Sequence, residues 1–186
     1  MKKILVLPIL CLLLYSCSSK SQLAKNITSR PVPLSASLLT GLYENRIPGD
    51  NENSLWNDFC FHYPNKTHDI TEGNQVFIHQ VNDTLINLEL YQFGRLLDSF
   101  SLKGKSNKHY FSIKEGTNFS TIVVVSSSVD KRTIIGNDVN ADLLIAQKGS
   151  RRTFMLTDEI DYKDDGIIVG TYRRLADTRP AKTSFQ

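Results

Sequence analysis

The side chains best suited to chemistry in this chain are three cysteines, four histidines and a scatter of carboxylates. A zinc site needs three or four such ligands converging on one point. His62, His68, His79 and His109 contain no His-x-His or His-x3-His pair, so no two imidazoles are set on one face by spacing alone. His62 and His68 flank the end of a predicted helix and could meet, but no second thiol accompanies Cys60 there. Asp138-Val139-Asn140-Ala141-Asp142 opens like a calcium loop, yet Leu143 and Gly149 stand where that loop needs Gly and Glu. Asp161, Asp164 and Asp165 ahead of Gly166 read as a solvated acidic turn. No Gly-x-Ser-x-Gly or cysteine-protease signature marks a nucleophile, and no glycine-rich loop marks a phosphate site. Glu44, Glu89, Asp98 and Glu159 would have to pair across a cavity to cleave a glycosidic bond, and their spacing does not bring them together. The residues therefore predict a protein that is not an enzyme and carries no metal or cofactor. A hydrolase without a local motif is the alternative.

Cys17 is a different case. Met1-Lys2-Lys3 is positive, and Ile4 to Tyr15 is almost wholly apolar, broken only by Pro8. A membrane span needs about 20 apolar residues, so this run is too short and fits the apolar region of a secretory signal. It ends in Leu14-Tyr15-Ser16-Cys17. That tetrad resembles the lipobox of bacterial lipoproteins, with Tyr15 bulkier than usual at its position. The resemblance implies a diacylglycerol on the Cys17 thiol, cleavage after Ser16, and an N-acyl (palmitate-type) chain on the new terminus. Each buried CH2 contributes about 0.8 kcal/mol, so one chain holds marginally and two hold firmly.

Processing at that site changes the composition. Loss of Lys2 and Lys3 takes the formal net charge from +3 to +1, since residues 1–16 hold no other charge. A nearly neutral exported chain has no polyphosphate-binding footprint, which sets nucleic acid aside as a partner. Cys11 leaves with the signal and Cys17 carries lipid, so Cys60 has no disulfide partner and reads as a packing residue. The residues after Cys17, Ser18-Ser19-Lys20-Ser21-Gln22, contain no acid. Resemblance to Bacteroidota-type lipoproteins, whose surface-export signal is acidic, implies that the chain stays in the cell envelope on the periplasmic face, and Ser18 in place of Asp implies, by resemblance to the proteobacterial sorting scheme, the outer membrane.

The elements follow from periodicity and punctuation. Residues 17–37 are rich in Ser, Lys and Pro and predict a flexible tether. Leu38 to Glu44 predicts a first strand, with Gly41 permitting close packing. Leu55, Trp56, Phe59, Cys60 and Tyr63 fall at helical spacing, so a helix is expected over 53–63, capped by Asn53 or Ser54 and stopped by Pro64. Strands are expected at Gln75–Val81, Thr84–Tyr91, Leu96–Lys103, His109–Lys114, Phe119–Ser127, Arg132–Gly136, Leu143–Gln147, Thr153–Thr157 and Ile167–Arg173. Asn82-Asp83 and Gly104-Lys105-Ser106-Asn107 read as hairpin links. Lys148-Gly149-Ser150 and Lys163 to Gly166 read as turns. Ile122-Val123-Val124-Val125 is continuous enough to suggest a strand covered on both faces, or the most central strand. The fold class is thus mainly β: an antiparallel meander of roughly nine or ten strands forming a barrel, or alternatively a sandwich, with one short helix. Residues 38–175 form the single β domain, and 176–186 a polar tail expected to fray.

Gly41-Leu42-Tyr43 on the first strand, with Arg173 or Arg174 on the last, resembles the lipocalin pattern of a Gly-x-Trp strand packed against an arginine. Here Tyr43 stands for Trp, no helix follows the last strand, and one falls instead between the first two. The resemblance implies a cavity for an apolar small molecule, walled by residues such as Ile86, Leu88, Leu90 and Phe93. The alternative is a scaffold or assembly lipoprotein that holds an envelope protein at the membrane. Asp83-Thr84-Leu85 also resembles the Bacteroidota O-glycosylation acceptor, with Thr84 as the modified residue.

Overall fold

Ile86, Leu88 and Leu90 are fully buried, while Asn87 and Glu89 between them are only half-buried. This is the alternation of a strand with one face on a core, and it recurs around the molecule. The computed structural model describes residues 18–46, 53–69, 71–115, 120–122, 125–155 and 158–181. Ten strands among them form one sheet: β1 (Gly41–Glu44), β2 (Asn74–Asn82), β3 (Leu85–Gln92), β4 (Arg95–Ser106), β5 (Phe111–Glu115), β6 (Ser120–Ile122), β7 (Val125–Asn137), β8 (Leu143–Met155), β9 (Asp158–Tyr172) and β10 (Arg174–Ala176). The order is β10-β1-β2-β3-β4-β5-β7-β8-β9, with β6 beside β7. Every ladder is antiparallel.

The mainly β expectation is met, and the closed barrel is not. The path of ladders has two different ends, β10 and β9, and among the described residues no ladder joins them. The cause lies in the last strand. β9 follows β8 over nearly its whole length, from Met155↔Asp158 to Leu143↔Tyr172. After Arg173, the three-residue β10 turns to β1, with Tyr43↔Arg174 and Leu42↔Ala176. The sandwich alternative is absent as well, because a single sheet supplies the core. Inner-face residues of β1 to β5 and β7 to β9 meet in one cluster, among them Tyr43, Ile78, Leu88, Leu102, Phe111, Ile135, Ile145 and Tyr172. The sheet is therefore curled around a common interior.

Five turn or strand expectations are corrected. β8 is continuous where Lys148-Gly149-Ser150 suggested a turn, and β9 is continuous through Asp164 and Asp165. The signals there belong to a bulge, for the register shifts between Lys148 and Ser150. β4 runs to Ser106, so the second link is Asn107 to Tyr110 rather than Gly104 to Asn107. The first hairpin turns at Asp83-Thr84, one residue later than expected, with Asn82 Oδ1 accepting from Thr84 N at 2.8 Å. The apolar run 122–125 is not central. Ile122 ends β6 and Val125 begins β7 at the outer end of the sheet, while Val123 and Val124 lie outside the described residues.

The tether also differs from expectation. α1 (Ser18–Asn26) is a helix, and Leu23 and Ile27, one turn apart, are buried against Ile134, Leu144 and Ala146 on the outer face of the sheet. Val32 N then donates to Asn137 O at 2.9 Å, and Leu34 N to Lys108 O at 3.0 Å. A two-residue apolar stripe is a weak periodic signal inside a Ser- and Lys-rich stretch, which is why composition alone reads as a tether. Ser35 caps the short α2 (Ala36–Leu39). Arg179 of the C-terminal segment, expected to fray, bonds Glu89 at 2.7 and 2.8 Å and stacks 4.9 Å from the Phe77 ring centroid. Leu14 to Cys17, the tetrad that resembles a lipobox, lie outside the described residues. No helix among the described residues is long and apolar enough to cross a membrane.

Candidate functional site: the plugged interior and its rim

The helix expected between the first two strands forms as α3 (Leu55–Phe59), with Ser54 Oγ accepting from Asn57 N at 3.2 Å as its cap. It enters the curl of the sheet. Leu55, Trp56, Phe59 and Cys60 are all within 2 % of full burial and share one cluster with the inner-face strand residues. Trp56 is locked on every side. Its backbone N donates to Asn45 Oδ1 at 2.8 Å, its indole Nε1 donates to Lys66 O at 2.8 Å, and Phe100 meets it edge-on at 4.9 Å between centroids. The interior that a lipocalin-like reading reserves for a ligand is thus occupied by the chain's own aromatic side chains.

Polar groups gather where α3 meets β5, β7, β8 and β9. Tyr172 donates its hydroxyl to Asp58 Oδ2 at 2.6 Å. Gln147 Nε2 donates to Asp58 O at 2.6 Å and to Thr133 Oγ1 at 3.1 Å. Thr133 Oγ1 lies 2.8 Å from His62 Nε2. The Thr133 hydroxyl has one donor and two acceptor sites, so it can accept from Gln147 and still either donate to His62 Nε2 or accept from it. Glu115 Oε2 stands 3.6 Å from His62 Nδ1 and 3.8 Å from Lys131 Nζ. Burial, reinforced by the Lys131 ammonium, pushes the His62 pKa down to about 4. The imidazole is neutral at neutral pH, so His62 and Glu115 are not an ion pair. Hydroxyl, imidazole and carboxylate stand in the order a nucleophilic triad uses, but Thr133 is fully buried, and its hydroxyl is not presented to a substrate. A cleft of about 320 Å3 opens at this rim between His62, Tyr63, Leu85, Lys103 and Glu115.

At the opposite side, the structure brings Tyr43 and Arg174 together. The Arg174 guanidinium sits 5.6 Å from the Tyr43 ring centroid and donates to its hydroxyl at 3.1 Å. Asn137 Nδ2 also donates to that hydroxyl, at 3.0 Å, and the hydroxyl donates to Leu39 O at 3.0 Å. Arg174 further bonds the carbonyls of Leu38 and Thr40. A Cβ built on Gly41 would lie 2.8 Å from Arg174 Cζ, so only glycine admits the guanidinium this close. Burial raises the Tyr43 pKa, partly offset by Arg174 and Asn137. Arg173, the other candidate, points the other way and pairs with Glu44.

The remaining chemistry-bearing residues are held apart. Glu44 is tied to Arg173, Glu89 to Arg179 and Tyr91, and Asp98 to Lys66 and His68 at 2.7 and 3.2 Å. The side chain of Glu159 lies outside the described residues. His62 bonds inward and His68 bonds Asp98 at the rim, and among the described residues no group of His, Cys, Asp and Glu could hold a metal ion. Cys60 is buried, and desolvation, with Asp98 adding, pushes its thiol up to about 12, so it stays protonated and unreactive. Ile86, Leu88 and Leu90 line the core as expected, but Phe93 does not. It occupies the β3–β4 turn at φ 49°, followed by Gly94 at φ 79°, and is 65 % exposed. Two successive positive φ values define the tight hairpin turn that twisted strands prefer. Thr84 is exposed in the β2–β3 turn, its hydroxyl on Asn82 Oδ1 at 2.9 Å.

Comparison with protein-family models, with curated proteins and with solved structures returns no match for this chain.

Proposed function

We propose that this chain is a lipoprotein of the bacterial cell envelope, anchored through diacylglycerol and an N-acyl chain on Cys17 to the periplasmic face of the outer membrane. Its β domain works there as a non-catalytic scaffold that binds an envelope protein. The observation that carries this reading is the filled interior: Trp56 and Phe59 occupy the volume that a carrier would keep for cargo. Phe93, Leu96 and Leu97 add exposed apolar side chains along the β3–β4 hairpin, the kind of surface that marks protein contacts. Modification of Thr84 by a glycan is compatible with this role, since its hairpin projects into solvent.

A second reading, binding of an apolar small molecule in a lipocalin-like fold, is favoured by the Tyr43–Arg174 stack. On that reading α3 must leave the interior before cargo enters. Native mass spectrometry of the mature lipoprotein purified from its own host separates the two. A protein complex without a small-molecule mass is expected. A monomer carrying a stoichiometric apolar molecule would overturn the scaffold in favour of the carrier.

A further inference from the structure

β4 and β5 part inside the sheet. Their ladder runs only from Ser106↔Phe111 to Gly104↔Ile113, although β4 reaches back to Arg95 and β5 runs on to Glu115. Beyond the last rung each strand stays with its other neighbour. β4 follows β3 from Leu85↔Lys103 to Gln92↔Arg95, and β5 follows β7 through Lys114↔Arg132 and Glu115↔Lys131. Among the described residues, β4 therefore has no ladder partner on this side from Arg95 to Lys103.

The cleft of about 320 Å3 lies in this split, and its walls come from both faces of the sheet. Leu102 and Ile113 belong to the inner cluster. Their chain neighbours Lys103 and Lys114 are exposed on the outer face, as strand alternation requires. His62 and Tyr63 border the inner side, and the Tyr63 ring meets Phe100 of β4 at 5.5 Å between centroids. The split is thus a slot through the sheet with a free strand edge along it.

An unpaired edge presents a row of backbone donors and acceptors to another chain. An extended segment that takes them up adds a strand. The register shift between Leu90 and Tyr91 leaves Leu97 as an extra residue between Leu96 and Asp98, and such a bulge interrupts regular pairing. The usable edge is Asp98 to Lys103, about 20 Å long, which is the length of an ordinary strand.

Charge selects what fits there. The acids around the slot are already paired: Asp98 with Lys66 and His68, Glu115 with Lys131, and Glu89 with Arg179. Lys103 and Lys114 line the slot and have no ion-pair partner among the described residues. Side chains of an added strand alternate between the faces. Those turned outward meet the two lysines, and those turned inward meet Phe100, Leu102 and Ile113.

We propose that this slot is a strand-addition site. An extended acidic segment of an envelope protein pairs its backbone with the β4 edge from Asp98 to Lys103. It sets carboxylates against Lys103 and Lys114 and apolar side chains against Leu102 and Ile113. The inference rests on the scaffold reading and names the chemistry of its partner. The bulge at Leu97 and the Gly104↔Ile113 rung bound the site at its two ends.

The test places a photoreactive benzoylphenylalanine in the full chain, expressed in its own host, at one of three positions. These are Ser101 on the edge, Phe93 in the β3–β4 turn and Val139 in the β7–β8 turn, all exposed. A protein adduct is expected at Ser101, and its cross-linked peptide, sequenced by mass spectrometry, alternates acidic with apolar residues. Lys103→Glu with Lys114→Glu is expected to lower the adduct yield about tenfold. Lys25→Glu with Arg30→Glu makes the same change of net charge at exposed positions elsewhere and is expected to leave the yield unchanged. A dimer of this chain at Ser101, a cross-linked peptide without acids, or a yield indifferent to the Lys103 and Lys114 changes overturns the acidic strand. Adducts at Phe93 or Val139 with none at Ser101 overturn the slot and leave the scaffold reading standing. No adduct at any of the three overturns the scaffold reading and this inference with it.

Discussion

His62 is where charge and burial meet most directly. Its folded pKa of about 4 lies below the ordinary 6.5 because the imidazole is desolvated and faces Lys131. A depressed histidine pKa contributes stability that is complete above about pH 6.5 and is lost as pH falls toward 4, since the unfolded chain then binds the proton first. The shift corresponds to about 3 kcal/mol. Urea unfolding at neutral pH and near pH 4.5 checks this: the wild type loses most of that amount, and His62→Gln shows a flatter profile. Tyr43 makes a second test. Tyr43→Phe strips a shared partner from Asn137 and Arg174 and is expected to cost about 1–3 kcal/mol by the same measurement. Part of this chemistry is legible in sequence. Gly41-Leu42-Tyr43 and the paired arginines point to a stack, and strand alternation explains why Arg174 makes it while Arg173 faces Glu44. The His62–Thr133 bond spans 71 residues, and no local pattern could announce it.

At the scale of elements, α3 does more than its length implies. Its few residues carry the largest buried side chain in the core, and three neighbouring segments hold it. Trp56→Ala removes that side chain from a site with no room to collapse and is expected to cost about 3–5 kcal/mol, read as a lowered urea midpoint. The helix was legible because Leu55, Trp56, Phe59 and Cys60 repeat at helical spacing. α1 was not, because Leu23 within it and Ile27 just past its end supply the buried apolar contact and the residues around them are those of a linker. The strands β7 to β9 were legible in type but not in length. Gly149 and Gly166 carry turn chemistry in sequence, yet the bulge between Lys148 and Ser150 lets the ladder run on past them.

For the whole molecule, a curled sheet is filled by its own helix, and the proposed function therefore rests on surface and attachment. On the proposed lipoprotein reading the anchor belongs to this scale, because it would convert a free domain into a tethered one. Cys17→Ala is expected to abolish labelling by a fatty-acid probe and to leave an unprocessed precursor of higher mass; undiminished labelling would contradict the lipoprotein assignment. The central claim is that the interior holds no cargo, and Trp56 reports on it directly. It is the chain's single tryptophan and stands at the centre of the plug. Titrating the mature protein with long-chain fatty acids and following Trp56 emission therefore tests the claim in one measurement. The account predicts an emission spectrum unchanged by the ligand. A saturable shift or quench of Trp56 at stoichiometric ligand would contradict it.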